Sequence, residues 1–250
     1  MYVIFKYLLF VTLLFCSTPY SFAHKLRFVA EDLPPFHFLD ANRNPTGVLV
    51  DVIKAVISVA KVDAEIELMP FARCYESTQH QPNVFMFSLL KTSDRTPRFK
   101  WLGQTYKAKA YLVGLKSRSD LQLNTIEDAK SLVVGTIRGY HSEHYLKEAN
   151  FTIEDNLHLS VNYQQMWGML FKNRIDLVLT NFIALEFELN SIDLEVNDIT
   201  TYLELEDFPN QLHIATGLTT PDQTIKKLSD ALIQIKADGS YQQIMTKWGL

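Results

Sequence analysis

Cysteine is nearly absent from this sequence: 250 residues hold only Cys16 and Cys74. Cys16 lies in a leader-like segment, so its removal would leave Cys74 alone and exclude an intramolecular disulfide, even in an oxidising compartment. Cys74 follows Arg73 in a helix-like stretch with no clear histidine partner, and it reads as a buried structural thiol rather than a nucleophile. Positive charge is not in excess either. Lys and Arg total 24 against 28 Asp and Glu, a net charge of −4 that drops by one more when Lys6 leaves. With no basic stripe, RNA-binding aromatic signature or polybasic tail, nucleic acid is not an expected partner. No apolar run spans a bilayer: residues 7–16 make about ten, against the roughly 20 that a helix needs. Internal repeats, low-complexity tracts and a Ser/His/Asp constellation are all missing. His141 and His144 stand i, i+3 without a third ligand nearby, so no metal is expected, and no cofactor.

What is present is an ordinary globular composition, 47% hydrophobic and 21% charged. The N-terminus reads as a secretory signal: Lys6 gives a thin positive region, residues 7–16 the apolar core, and Ser21 and Ala23 the small −3 and −1 residues. Cleavage is expected after Ala23, leaving residues 24–250 as the exported chain. An uncleaved anchor is disfavoured by the short apolar run, and a lipoprotein by bulky Phe15 before Cys16.

The order of strands and helices predicts an α/β protein. Residues 26–30, 66–69 and 84–88 read as strands, separated by helices over 50–60 and 72–80. That order implies right-handed crossovers and a parallel sheet. A second unit has a short helix capped by Thr125, a strand over 132–136, helices over 143–148 and 163–171, and a strand over 176–180. Extended apolar segments at 110–115 and 212–216 would carry the chain between the two units, making a double-crossover hinge. The expected division is residues 24–110 plus 213–250 as one lobe and 111–212 as the other, after a signal peptide over 1–23.

The C-terminus closes the pattern. Ile225, Leu228, Leu232 and Ile235 are helically spaced, Gly239 stands at a left-handed stop, and Ser240 to Gln243 reads as a capping box before Ile244, Met245 and Trp248. This ending resembles that of bacterial extracellular solute-binding proteins, the amino-acid-binding family 3. Pro34-Pro35-Phe36, Gly47 and Asp51 are similar to the family's opening. Ser88 with Thr92-Ser-Asp-Arg95 resembles its serine and Thr-Pro-Glu-Arg, and Phe99-Lys-Trp101 with Tyr106 continues the likeness. Gly135 to Gly139 resembles a turn of its second lobe, and Ile175-Asp-Leu-Val its last pocket strand. The resemblance implies a type II periplasmic-binding fold, two lobes each with a mostly parallel sheet flanked by helices.

Ligands in such sheets bind beyond the carboxyl ends of the strands. The expected ligand-binding set is Asp32, Phe36, Arg73, Ser88, Arg95, Tyr140, His141, Ser142 and Asn181. The resemblance implies that Arg95 clamps a ligand carboxylate, a task its planar fork suits. Two departures bear on the ligand. Asn181 stands where the family usually has an aspartate for the ligand's ammonium, and Leu90 where it favours Ser or Thr, so neutral or acidic ligands are expected over basic ones.

The expected function is non-enzymatic: a monomer that binds a small carboxylate-bearing molecule and presents it to an ABC permease. A periplasmic dehydratase of prephenate-like acids is the alternative, requiring an acid of raised pKa in the cleft, with Glu31 and Asp32 the visible candidates. A free-standing sensor is a third possibility. Membrane sensors and lytic transglycosylases of this fold would need a further C-terminal domain beyond Leu250.

Overall fold

The computed structural model describes residues 25–250, and for 182–184 the backbone only. The expected leader and its cleavage point lie outside the described residues. The chain forms two five-stranded mixed sheets with helices packed on them.

The first sheet has the order β4-β1-β5-β12-β6, from β1 (Leu26–Ala30), β4 (Ala64–Leu68), β5 (Val84–Leu90), β6 (Phe99–Lys107) and β12 (Gln211–Gly217). The pairs of β1 with β4 and β5 are parallel; β12 runs antiparallel to both β5 and β6. β5, with sequence VFMFSLL, is buried over its first six residues, as expected of a strand covered on both faces. Helix α1 (Val48–Ala60) and helix α6 (Asp222–Ala237) cover one face, burying Val52, Ile53 and Val56 beside Leu228, Leu232 and Ile235. Helix α2 (Phe71–His80) covers the other, with Cys74 buried against Val29 and Met86. A small ribbon of β2 (Phe38–Leu39) and β3 (Pro45–Thr46) precedes α1.

The second sheet has the order β11-β7-β10-β8-β9. Its strands are β7 (Ala110–Leu115), β8 (Val134–Ile137), β9 (Leu157–Ser160), β10 (Leu177–Asn181) and β11 (Ile199–Leu205). β8 is parallel to β9 and β10, while β7 is antiparallel to β10 and β11. Helices α3 (His141–Glu148), α4 (Tyr163–Phe171) and α5 (Phe182–Asn190) flank it. Trp167 of α4 is fully buried among Val178, Leu185 and Leu189.

The chain passes between the sheets twice, from β6 to β7 and from β11 to β12. Helix α7 (Ser240–Lys247) then returns to α1: Lys247 and Trp248 both contact the Asp51 carboxylate, at 2.8 and 3.0 Å.

Gly47 is sterically required. It has φ 122°, and a Cβ there would sit 2.5 Å from the Phe36 carbonyl oxygen. This close approach lets the first amides of α1, Val48 and Leu49, donate to Pro35 and Phe36. The loop after β1 is thereby fixed to the helix that follows it.

Some local expectations differ from the structure. Ser240 forms no capping box: Gly239, at φ 85°, is the N-cap of α7 and the Ser240 amide bonds Asp238 instead. Thr125 does cap its short helix, and does so as a capping box with Asp128. Helix α3 begins at His141, two residues before the expected 143, with Tyr140 as N-cap. Strands β6, β9 and β11 and helix α5 were not anticipated. β6 and β11 carry irregular registers, which break the two-residue alternation that would mark them in sequence.

Candidate functional site

The carboxyl ends of β1, β5, β8 and β10 converge on one cavity between the two sheets, as open α/β sheets require. It holds ≈ 930 Å³ of atom-free space, part of it continuous with solvent. From the first sheet's side it is lined by Glu31, Phe36, Phe71, Ser88 and Arg95. The second side contributes Thr136, Tyr140, His141, Ser142, Asn181 and Glu188, and the two passes add Lys109 and Phe208.

Arg95 is only 5% exposed. Thr92 positions its segment: the Thr92 hydroxyl donates to the Asp94 carboxylate, and the Thr92 carbonyl accepts from the Thr96 hydroxyl. The guanidinium donates to the Leu90 carbonyl at 3.2 Å and lies 5.8 Å and 5.5 Å from the ring centres of Phe71 and Tyr75. No carboxylate among the described residues is within ion-pair distance of it. Burial lowers its pKa, opposed by Tyr75, Asp94 and Glu31. A desolvated cation without a counter-ion is a costly arrangement unless an anion arrives. The Ser88 hydroxyl, also lining the cavity, is buried without a partner.

Across the cavity, the Tyr140 ring lies 5.4 Å from that of Phe71, so the two sides touch. His141 packs on Phe208 at 5.4 Å, its pKa lowered by burial and by Arg95. The Ser142 hydroxyl is 2.5 Å from that of Thr136, an interaction that holds it without any helix-capping role.

Two buried acids complete the site. Glu31 is 9% exposed, one of its carboxyl oxygens lacks any partner, and burial raises its pKa to about 7 against the opposing pull of Arg95. Glu188 of α5 is 2% exposed, accepts the Trp167 indole N–H at 2.6 Å, and is likewise raised to about 7 by burial. Sequence reading saw Glu31 only as a candidate and missed Glu188. Within its apolar helix, Leu185, Glu188 and Leu189 share one buried face, and nothing in the local pattern marks the acid as inward.

Seven of the nine expected residues meet at the cavity: Phe36, Ser88, Arg95, Tyr140, His141, Ser142 and Asn181. Two do not. Asp32 is exposed because neighbours in an extended segment face opposite ways and Glu31 takes the inward place. Arg73 is exposed because it lies two residues, about 200° of helix, beyond cavity-lining Phe71. Phe36 is fully buried and also packs on Tyr106, at 5.2 Å, so it belongs to core and cavity alike. Among the described residues no group of three or more His, Cys, Asp or Glu is placed to hold a metal ion.

Two sheets joined by a double pass, with a polar-tipped cavity between them, define the two-lobed architecture of periplasmic binding proteins. The chain belongs to the bacterial extracellular solute-binding proteins, family 3, whose sequence profile matches residues 27–250. It is similar to the ABC transporter arginine-binding protein 1 of Escherichia coli (strain K12), 25% identical over 235 residues that cover 91% of this chain and 92% of that one. Its fold resembles an ancestral arginine-binding protein bound to arginine, with TM-score 0.76 and 23% identity over 90% of this chain and 97% of the other. It also resembles a histidine kinase sensor domain with similarity to periplasmic binding proteins, with TM-score 0.80 and 16% identity over 90% and 96%. No described helix is long and apolar enough to cross a membrane.

Proposed function

We propose that this protein captures a small amino-acid-like carboxylate in the cleft between its sheets and presents it to a membrane transporter. The observation that carries this reading is Arg95, a buried guanidinium facing the cavity with no carboxylate partner among the described residues. A ligand carboxylate would supply the missing charge in a bidentate pair, and the Ser88 hydroxyl would find its acceptor there. Relatives that bind arginine and glutamine agree with this ligand class. Residues 24–110 with 213–250 and residues 111–212 would act as the two lobes, closing about the passes between them. The protein would work as a periplasmic monomer after leader cleavage at Ala23, with an ABC permease recognising the closed form.

The test is a thermal-shift screen of residues 24–250 against amino acids, small carboxylates, aromatic acids and short peptides. A native-state ligand raises the melting temperature by mass action. A shift confined to one carboxylate class and lost in Arg95→Ala supports the reading; a shift that survives in Arg95→Ala removes the clamp.

A second reading is favoured by one feature. Glu31 is a cleft acid whose pKa of about 7 suits general-acid work, as a dehydratase of prephenate-like acids would need. Prephenate and arogenate incubated with the protein would separate the readings, since a binding protein leaves them unchanged.

A further inference from the structure

We infer that Glu31 and Glu188, lining from opposite sheets the cavity that Arg95 also faces, form the acidic part of the ligand site and select the charge of the ligand's second polar group. This rests on the amino-acid-binding reading above and deepens it. The family's usual aspartate is absent at Asn181, yet acids are not absent from the cavity. Glu188 comes from α5, one helix further along the chain, and Glu31 from the loop after β1.

The geometry explains why they act as a pair. Both are desolvated, both line the cavity, and neither forms a salt bridge among the described residues. Trp167 fixes Glu188 through its indole N–H, and the unpartnered Glu31 oxygen is left for a ligand donor. Tyr140 stands where both are felt, its own ionisation opposed by each. The ionisable groups facing Glu31 are Arg95, Tyr140 and Cys74, with His37 bonded to its backbone carbonyl at 2.6 Å. Tyr140 is the ionisable group facing Glu188, whose other contacts are Trp167 and, through its carbonyl, Ser191.

Burial holds the proton on each acid up to about pH 7. In that state the site offers one cation and two neutral hydroxyl donors, and it favours ligands whose second group is neutral. Once ionised, the same acids favour an ammonium or guanidinium. The ligand charge accepted therefore changes across neutrality.

The test measures L-arginine and L-glutamine binding by calorimetry at about pH 5.5 and about pH 8, where the arginine-to-glutamine affinity ratio should rise about thirtyfold for each acid that must ionise. In the Glu31→Gln/Glu188→Gln double variant, with the single variants as folding controls, the ratio should stay flat. A flat ratio in the wild type, or the same rise in the double variant, overturns the assignment. Failure of both amino acids to bind at either pH counts against the amino-acid reading itself. The acid pair is then decided on ligand-free protein by its infrared carboxylic-acid C=O stretch. A band that disappears as pH rises through 7 and is missing from the double variant supports the pair; no such band overturns it.

Discussion

Arg95 and the buried ionisable groups near it are where single substitutions should speak most clearly. Arg95→Ala should weaken binding of the screened ligand by about 2–5 kcal/mol with little change in denaturation midpoint. Arg95→Lys should recover only part of that loss, because an ammonium cannot make the two parallel bonds of a guanidinium. Full recovery in calorimetry would reduce Arg95 to a point charge. Glu188 makes a separate prediction about stability. Its folded pKa, about 7, lies above the ordinary glutamate value of 4.5, so its proton is favoured in the native state. The contribution is complete below pH 4.5 and lost as pH rises to about 7, a change on the order of 3 kcal/mol. His37 has the opposite sign. Burial lowers it from 6.5 to about 4, so its contribution is present above pH 6.5 and lost as pH falls to about 4. Urea midpoints across this range should therefore flatten on the alkaline side in Glu188→Gln, whose amide still accepts the Trp167 N–H. An unchanged slope would mean that Glu188 is already ionised.

At the scale of elements, the loop after β1 and the start of α1 form one unit joined at Gly47. Gly47→Ala would force a side chain into a backbone region essentially reserved for glycine and against the Phe36 carbonyl. The backbone conformation alone should cost about 1–3 kcal/mol, visible as a lower denaturant midpoint. A wild-type midpoint would show that the loop can shift to accommodate it. Elements of this kind were legible where pattern and burial agree. The apolar run Val84–Phe87 that opens β5 and the 3.6-residue spacing of α6 could hardly be read otherwise. The misses have physical causes. Register shifts opposite His213 and Ala215 scramble the alternation of β6, and one between Thr201 and Leu203 does so in β11. Helix α5 hides an acid among leucines, and its environment is fixed by Trp167, on a different helix. Site residues were legible by position after a strand, but not by direction. Asp32 and Arg73 stand beside the right residues in sequence and point the wrong way.

For the whole molecule, the Phe71 to Tyr140 contact means that the described conformation has its two sides in touch over the cavity. Removing one ring should speed ligand escape more than it slows capture, since interface losses fall mainly on the off-rate. Tyr140→Ala should thus raise the dissociation rate in stopped-flow displacement at a nearly constant association rate. Equal effects on both rates would place Tyr140 outside the closing contact. Scattering in solution should also show a smaller radius of gyration when the ligand is saturating, and no change would argue against closure on binding.

Cys74 carries a practical consequence. Its sulfur is buried beneath α2, donates to the Met69 carbonyl and has its pKa pushed up to about 12. A thiolate is the reactive species, so a disulfide reagent meets almost nothing to attack while α2 stays seated. In protein cut after Ala23 this is the one cysteine, which makes it a built-in clock for local opening. The rate at which a thiol reagent labels native protein reports how often α2 lifts from its sheet. Phe71, at the head of that helix, lines the cavity, so an occupied cleft should slow the clock without any label having been engineered.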